Sequence, residues 1–201
     1  MGHSMTLYGL CAAALLLLPL SVHADDEAGN TPRVFTSRHG NCYAKSVPAE
    51  LYGQQGSTRI FVVQAGVDRL VQTYGWYAQQ LFLECNAAAA GAPAAVAVAR
   101  IGPWHRGRRA VASDLAIAFY HGGKLVKQYS TLDIAGSPDN VSASVSHFRV
   151  FEHTDGYHWR SGNGYAFHVR TTDGRRLAFD AATGERLQLA ESDPVLPKGR
   201  R

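Results

Sequence analysis

The chain has 201 residues, a formal net charge of +4, 46% hydrophobic and 18% charged content. That length suits one domain with a core of its own, and the apolar content excludes an intrinsically disordered chain. The basic excess is scattered, with short clusters at 106–109, 175–176 and 198–201 and no recognition motif beside them, which argues against nucleic acid as a partner.

Residues 1–24 read as a secretory signal peptide. An apolar run over 10–22 ends at Val22-His23-Ala24, with small side chains at the −3 and −1 places of a cleavage site, and Asp25-Asp26-Glu27 follows. The run is short for a bilayer, and no later segment restarts one, so no transmembrane segment is expected after cleavage. The expected address is the periplasm or the exterior. Residues 25–191 are expected to form a β-rich domain, and 192–201 a disordered basic tail. Cys11 leaves with the leader, so Cys42 and Cys85 remain. In an exported chain they are expected to form one disulfide, the alternative being two buried thiols.

Strands are expected at 34–37, 42–46, 59–64, 70–73, 81–85 and 96–101. A single helical turn over 47–51 is the only helix candidate. Residues 86–95 read as an Ala-rich connector. In 115–120, large and small apolar residues alternate, so Leu115, Ile117 and Phe119 share a face. Gly122-Gly123 then supplies a tight turn into a return strand at 125–129. Residues 135–140 form a turn cluster, and 141–151 alternate like a strand whose phase slips near His147, implying a bulge or a short helical turn. Strands at 165–170, 176–180 and 186–189 alternate with turns at 172–175 and 182–185. In the strand at 165–170, His168 falls opposite Phe167 and Val169 and is expected to face solvent.

About eleven strands at this spacing, with little helix, predict an all-β protein: a single antiparallel β domain, built as a sandwich or a partly open barrel. Residues 122–130 (GGKLVKQYS) and 173–187 (DGRRLAFDAATGERL) resemble the hairpins of β-propeller blades, although about eleven strands are too few for a complete propeller of four-stranded blades. The chain as a whole resembles uncharacterised exported bacterial β-proteins, a likeness that implies no activity.

Three loop segments stand out chemically. After the strand at 96–101, Gly102-Pro103 is followed by Trp104, His105 and Arg106, which combine a flat apolar face with a guanidinium fork suited to a ligand or a partner. Trp76 and Tyr77, with Gln79 and Gln80 beside them, have the composition of a sugar-stacking surface, and Trp159 lies in a further aromatic segment. The other reading of these segments is structural: aromatics plugging the core and an arginine pairing a carboxylate. His153 and His158 flank Thr154-Asp155-Gly156-Tyr157, a sequence that reads as a turn. Two imidazoles with Asp155 or Glu152 form the one candidate metal set.

No nucleophile elbow, zinc helix, phosphate loop or Cys-x-x-Cys pair is present, and no catalytic residue or cofactor is assigned. The expected function is a non-enzymatic periplasmic module that binds an envelope protein or glycan through its aromatic loops. The alternatives are a small metal-dependent hydrolase using the loop histidines, and a secreted inhibitor or immunity-type protein.

Overall fold

The computed structural model describes residues 29–86, 95–103, 105–107, 109–144, 147–160 and 164–189. The expected leader at 1–24, the tail at 192–201, Trp104 and most of the 86–95 connector lie outside them.

The architecture is all-β and antiparallel. The first sheet is a meander of β1 (Arg33–Thr36), β2 (Cys42–Pro48), β3 (Gly56–Gln64) and β4 (Val67–Tyr74), hydrogen-bonded in chain order. The second is formed by β5 (Leu81–Glu84), β6 (Ala97–Ile101), β8 (Leu115–His121) and β9 (Lys124–Ser130); β7 (His105–Arg106) leaves it between β6 and β8. β7 joins β10 (Ser142–Ala143) and β11 (His147–Arg149) in a small separate sheet. The third large sheet is β12 (Phe151–Arg160), β13 (Gly164–Thr171), β14 (Arg176–Asp180) and β15 (Arg186–Leu187), again in chain order.

The second sheet is covered on both faces, and β6 shows why. Ala97, Ala99 and Ile101 enter one core with Phe119, Phe167, Val169 and Phe179. Val98, with Val96 just before β6, enters the other core with Ile60, Leu81, Leu83 and Cys42. Small alanines let the third sheet approach closely, while the valines fill the space toward the first. At the end of β6, a Cβ on Gly102 would lie 1.6 Å from the Leu115 carbonyl oxygen, so only glycine allows the exit beside β8. The result is three stacked sheets with two cores sharing the middle layer. It is the single antiparallel β domain with little helix that the strand spacing predicts, built in layers and without a closed barrel among the described residues.

The first strands of the large sheets lie together: β5 contacts both β1 and β12. A disulfide between Cys42 and Cys85, with Cα atoms 6.3 Å apart, ties β2 to the end of β5. The Gln80 side-chain amide donates to the Thr154 hydroxyl at 2.7 Å and ties β5 to β12.

Several local expectations change. Residues 47–51 form no helical turn; β2 runs on through Pro48, and bends follow. Among the described residues the α-helix is α1 (Thr131–Ala135), closed by a capping box between Ser130 and Asp133 and by Gly136 in the left-handed conformation. The turn cluster at 135–140 contains a 3-10 turn at Pro138–Asn140, and within 141–151 the described residues form the short strands β10 and β11. His168 is only 6% exposed; it lies on the central strand β13, and the His158 ring of β12 stands 5.4 Å away, edge to face. Residues 153–158 form no hairpin turn; they lie inside β12. Among the described residues, no helix is long and apolar enough to cross a membrane.

Candidate functional site

The meeting of β1, β5 and β12 leaves a pocket of about 360 Å3. Thr36 and Arg38 line it from β1 and its exit, Phe82, Leu83 and Glu84 from β5, and Asp155, Gly156, Tyr157 and His158 from β12. No single stretch of sequence carries this set; the stacking of the sheets assembles it.

A bulge in β12 places Asp155. Thr154 pairs with Val169 and Gly156 with His168, so Asp155 is an extra residue with no partner in the ladder. Such an insertion bends the strand and re-aims a side chain. Gly156 makes it feasible with φ +84°, and a Cβ there would lie 3.1 Å from the Phe82 ring. The Asp-Gly pair that reads as a turn in sequence is therefore used as a bulge, and Phe82 packs over the glycine.

The polar atoms are unevenly satisfied. Asp155 Oδ1 lies 2.8 Å from His153 Nε2, whereas Oδ2 is buried without a hydrogen-bond partner in the protein. The Tyr157 hydroxyl and His158 Nε2 are likewise buried and unpartnered. Glu84 is 1% exposed, and one of its oxygens accepts from the Asn86 backbone N–H at 2.8 Å. Burial pushes the Tyr157 hydroxyl well above its ordinary pKa, and the Glu84 carboxylate adds to the effect. Burial and then Glu84 also raise Tyr165. Tyr165 meets the exposed Trp159 edge to face at 5.1 Å, so an aromatic pair stands within the field of Glu84.

The structure distributes the sequence-selected residues over separate environments. His105 lies in β7, where Nε2 donates to the Leu115 carbonyl at 2.9 Å, Nδ1 faces Asp114 at 3.4 Å and the ring stacks on Phe148. Arg106 places its guanidinium over the Tyr52 ring at 5.1 Å. Trp76 stacks on Tyr74 at 4.7 Å and on the other side faces Arg100, whose guanidinium is 4.6 Å from the ring. Tyr77 is 1% exposed, and its hydroxyl donates to the Thr31 carbonyl at 2.9 Å, so its ring is core material. Of the described aromatic candidates, Trp159 alone is exposed, at 61%.

Of the candidate metal set, His153 Nε2 and Asp155 Oδ1 lie 2.8 Å apart, and His158 and Asp155 line the same pocket. Glu152, unpaired in the ladder at a second bulge, binds Arg170 at 3.0 Å instead. Among the described residues, no group of three or more His, Cys, Asp or Glu side chains is arranged to hold a metal ion. Sequence reasoning missed Glu84 and Arg38. A glutamate inside the apolar run Leu81-Phe82-Leu83-Glu84-Cys85 was the available signal, since a lone carboxylate in a buried strand needs a reason.

No family model, no curated protein and no solved structure matches the chain.

Proposed function

We propose that this chain is an exported, non-enzymatic β module that binds a glycan of the cell envelope, and that its binding site is the pocket between β1, β5 and β12. The observation that carries this reading is a trio of buried, unpartnered polar atoms on residues that line the pocket: Asp155 Oδ2, the Tyr157 hydroxyl and His158 Nε2. Leaving such groups unpaired costs about 1–3 kcal/mol each, and a polyhydroxylated ligand supplies both donors and acceptors to them. The volume falls in the range of small-molecule sites, and the apolar residues Phe82 and Leu83 are part of its lining. The exposed Trp159 against Tyr165 offers a flat face for sugar C–H groups. Export rests on the leader pattern at 1–24 and on the disulfide, a bond that oxidising compartments favour.

Isothermal titration of envelope oligosaccharides into the purified chain tests the site. Binding to the native protein is expected, with a loss of about tenfold, or ~1.4 kcal/mol, in Tyr157→Phe while the melting temperature is kept. A folded protein that binds none of them, or one that binds equally well after the substitution, contradicts the reading. Intact mass of protein recovered from an expressing cell tests export: the expected product begins at Asp25, and one retaining Met1 contradicts it.

A further inference from the structure

We propose that the pocket selects saccharides bearing a free primary ammonium, seated against Asp155, over their neutral or N-acylated counterparts. This rests on the reading of the pocket as a glycan site and adds the charge of the ligand. Asp155 has a side chain only 10% exposed, and its Oδ2 accepts hydrogen bonds and donates none. His153 engages the other oxygen and leaves Oδ2 without a protein partner, on a residue that lines the pocket. Glu84, almost completely buried, adds a second carboxylate to the lining. The one arginine in the lining, Arg38, is exposed, so solvent screens its charge, whereas the two carboxyl groups sit in a drier place.

The lining thus holds two buried carboxyl groups against one exposed arginine, and a charged N–H donor gains more beside a carboxylate than a neutral hydroxyl does. The Tyr157 hydroxyl, 7% exposed by residue and unpartnered, is a second and independent group in the lining. Held protonated by its surroundings, it both donates and accepts. An amine on one ring carbon with a hydroxyl on the next matches this pair: the ammonium donates to Asp155 Oδ2, and the hydroxyl exchanges a hydrogen bond with Tyr157. Acylating the nitrogen removes the charge and adds bulk beside Phe82 and Gly156.

The experiment is a titration of the native chain with glucosamine, N-acetylglucosamine and glucose, below the pKa of the amine and at low salt, repeated with Asp155→Asn and Arg38→Ala. The expected result is a preference of about tenfold for glucosamine over both others, weakened by added salt. Asp155→Asn is expected to erase the preference. Arg38→Ala, a surface change that leaves the fold intact, is expected to strengthen glucosamine binding about two- to threefold by removing a like charge. Equal binding of glucosamine and N-acetylglucosamine by the native chain overturns the ammonium selectivity and leaves the glycan reading standing. Failure of all three sugars to bind the folded protein overturns both. The comparison of sugars on the native chain decides the matter even if Asp155→Asn fails to fold.

Discussion

Asp155, a residue of the pocket lining, is held on one side only: its Oδ1 lies 2.8 Å from His153 Nε2, while its Oδ2 is buried without a protein partner. That asymmetry depends on the bulge that takes Asp155 out of the β12–β13 ladder and on the glycine that follows it. It gives the pocket a fixed, half-satisfied carboxylate where an unbroken strand would have continued its alternation.

Gly156→Ala tests the bulge. The residue has φ +84°, and a Cβ would press on Phe82 at 3.1 Å. The left-handed conformation alone costs an L-residue about 1–2 kcal/mol. Urea unfolding should show a loss of at least that order, and ligand binding should fall further than stability does, because β12 and Phe82 must shift together. Unchanged stability would mean that the bulge relaxes freely and does not fix Asp155.

Removing the disulfide should loosen the same region from the other side. Replacing Cys42 and Cys85 together by alanine is expected to lower unfolding free energy by about 2–5 kcal/mol. Hydrogen exchange should accelerate first at Leu83, Glu84 and Asn86, next to the bond. A double variant as stable as the native chain contradicts this account of how β5 is anchored.

Trp76 separates a packing role from a binding role. Its ring lies between Tyr74 and the Arg100 guanidinium, and Arg100 in turn donates to the Tyr77 carbonyl at 3.2 Å. Trp76→Ala is expected to cost about 3 kcal/mol of stability, near the lower end for a buried Trp because the ring is only half buried. Sugar binding by the fraction that remains folded is expected to be unchanged. A stable variant that has lost binding would move recognition to the aromatic segment at 74–77.

Alkaline pH should unfold the protein through its buried tyrosines. Burial raises Tyr157 well above the ordinary 10.0, and burial with a contribution from Tyr120 raises Tyr74 as well. Each stays protonated in the folded chain at pH values where the unfolded chain would ionise it. Their stabilisation is therefore full below pH 10.0 and is lost as pH rises from there toward the folded values, at about 1.4 kcal/mol per pH unit for each group. Urea melts on either side of that pH, with tyrosinate absorbance followed in parallel, should show stability falling while these two rings titrate only as the protein unfolds. Tyrosinate absorbance that reaches the full tyrosine complement in still-folded protein contradicts it.

Much of the fold was legible in sequence because its strands alternate and end on strong turn residues. The runs around Ile117, Val126 and Phe179 fall within β8, β9 and β14. Legibility failed where a local signal has two structural uses. Asp155-Gly156 can make a turn or a bulge, and only pairing with Val169 and His168 decides between them. His168 follows the alternation of a half-exposed strand, but burial depends on the neighbours of β13, which the strand's own sequence does not reveal. The helix at Thr131–Ala135 is too short for an apolar period, although Ser130 and Asp133 carried its capping signal. The site was the least legible part: Arg38, Glu84 and Asp155 are far apart in the chain and meet only because three first strands converge.

The most direct test of that convergence as a recognition site is an amide chemical-shift map of the native chain titrated with an envelope oligosaccharide. The expected result is a saturable set of shifts centred on Arg38, Glu84 and residues 155–158, with Trp76, Tyr77 and Arg106 unmoved. Saturable shifts centred on Trp76 or Arg106, with Glu84 and Asp155 silent, would contradict the account and return recognition to the aromatic segments.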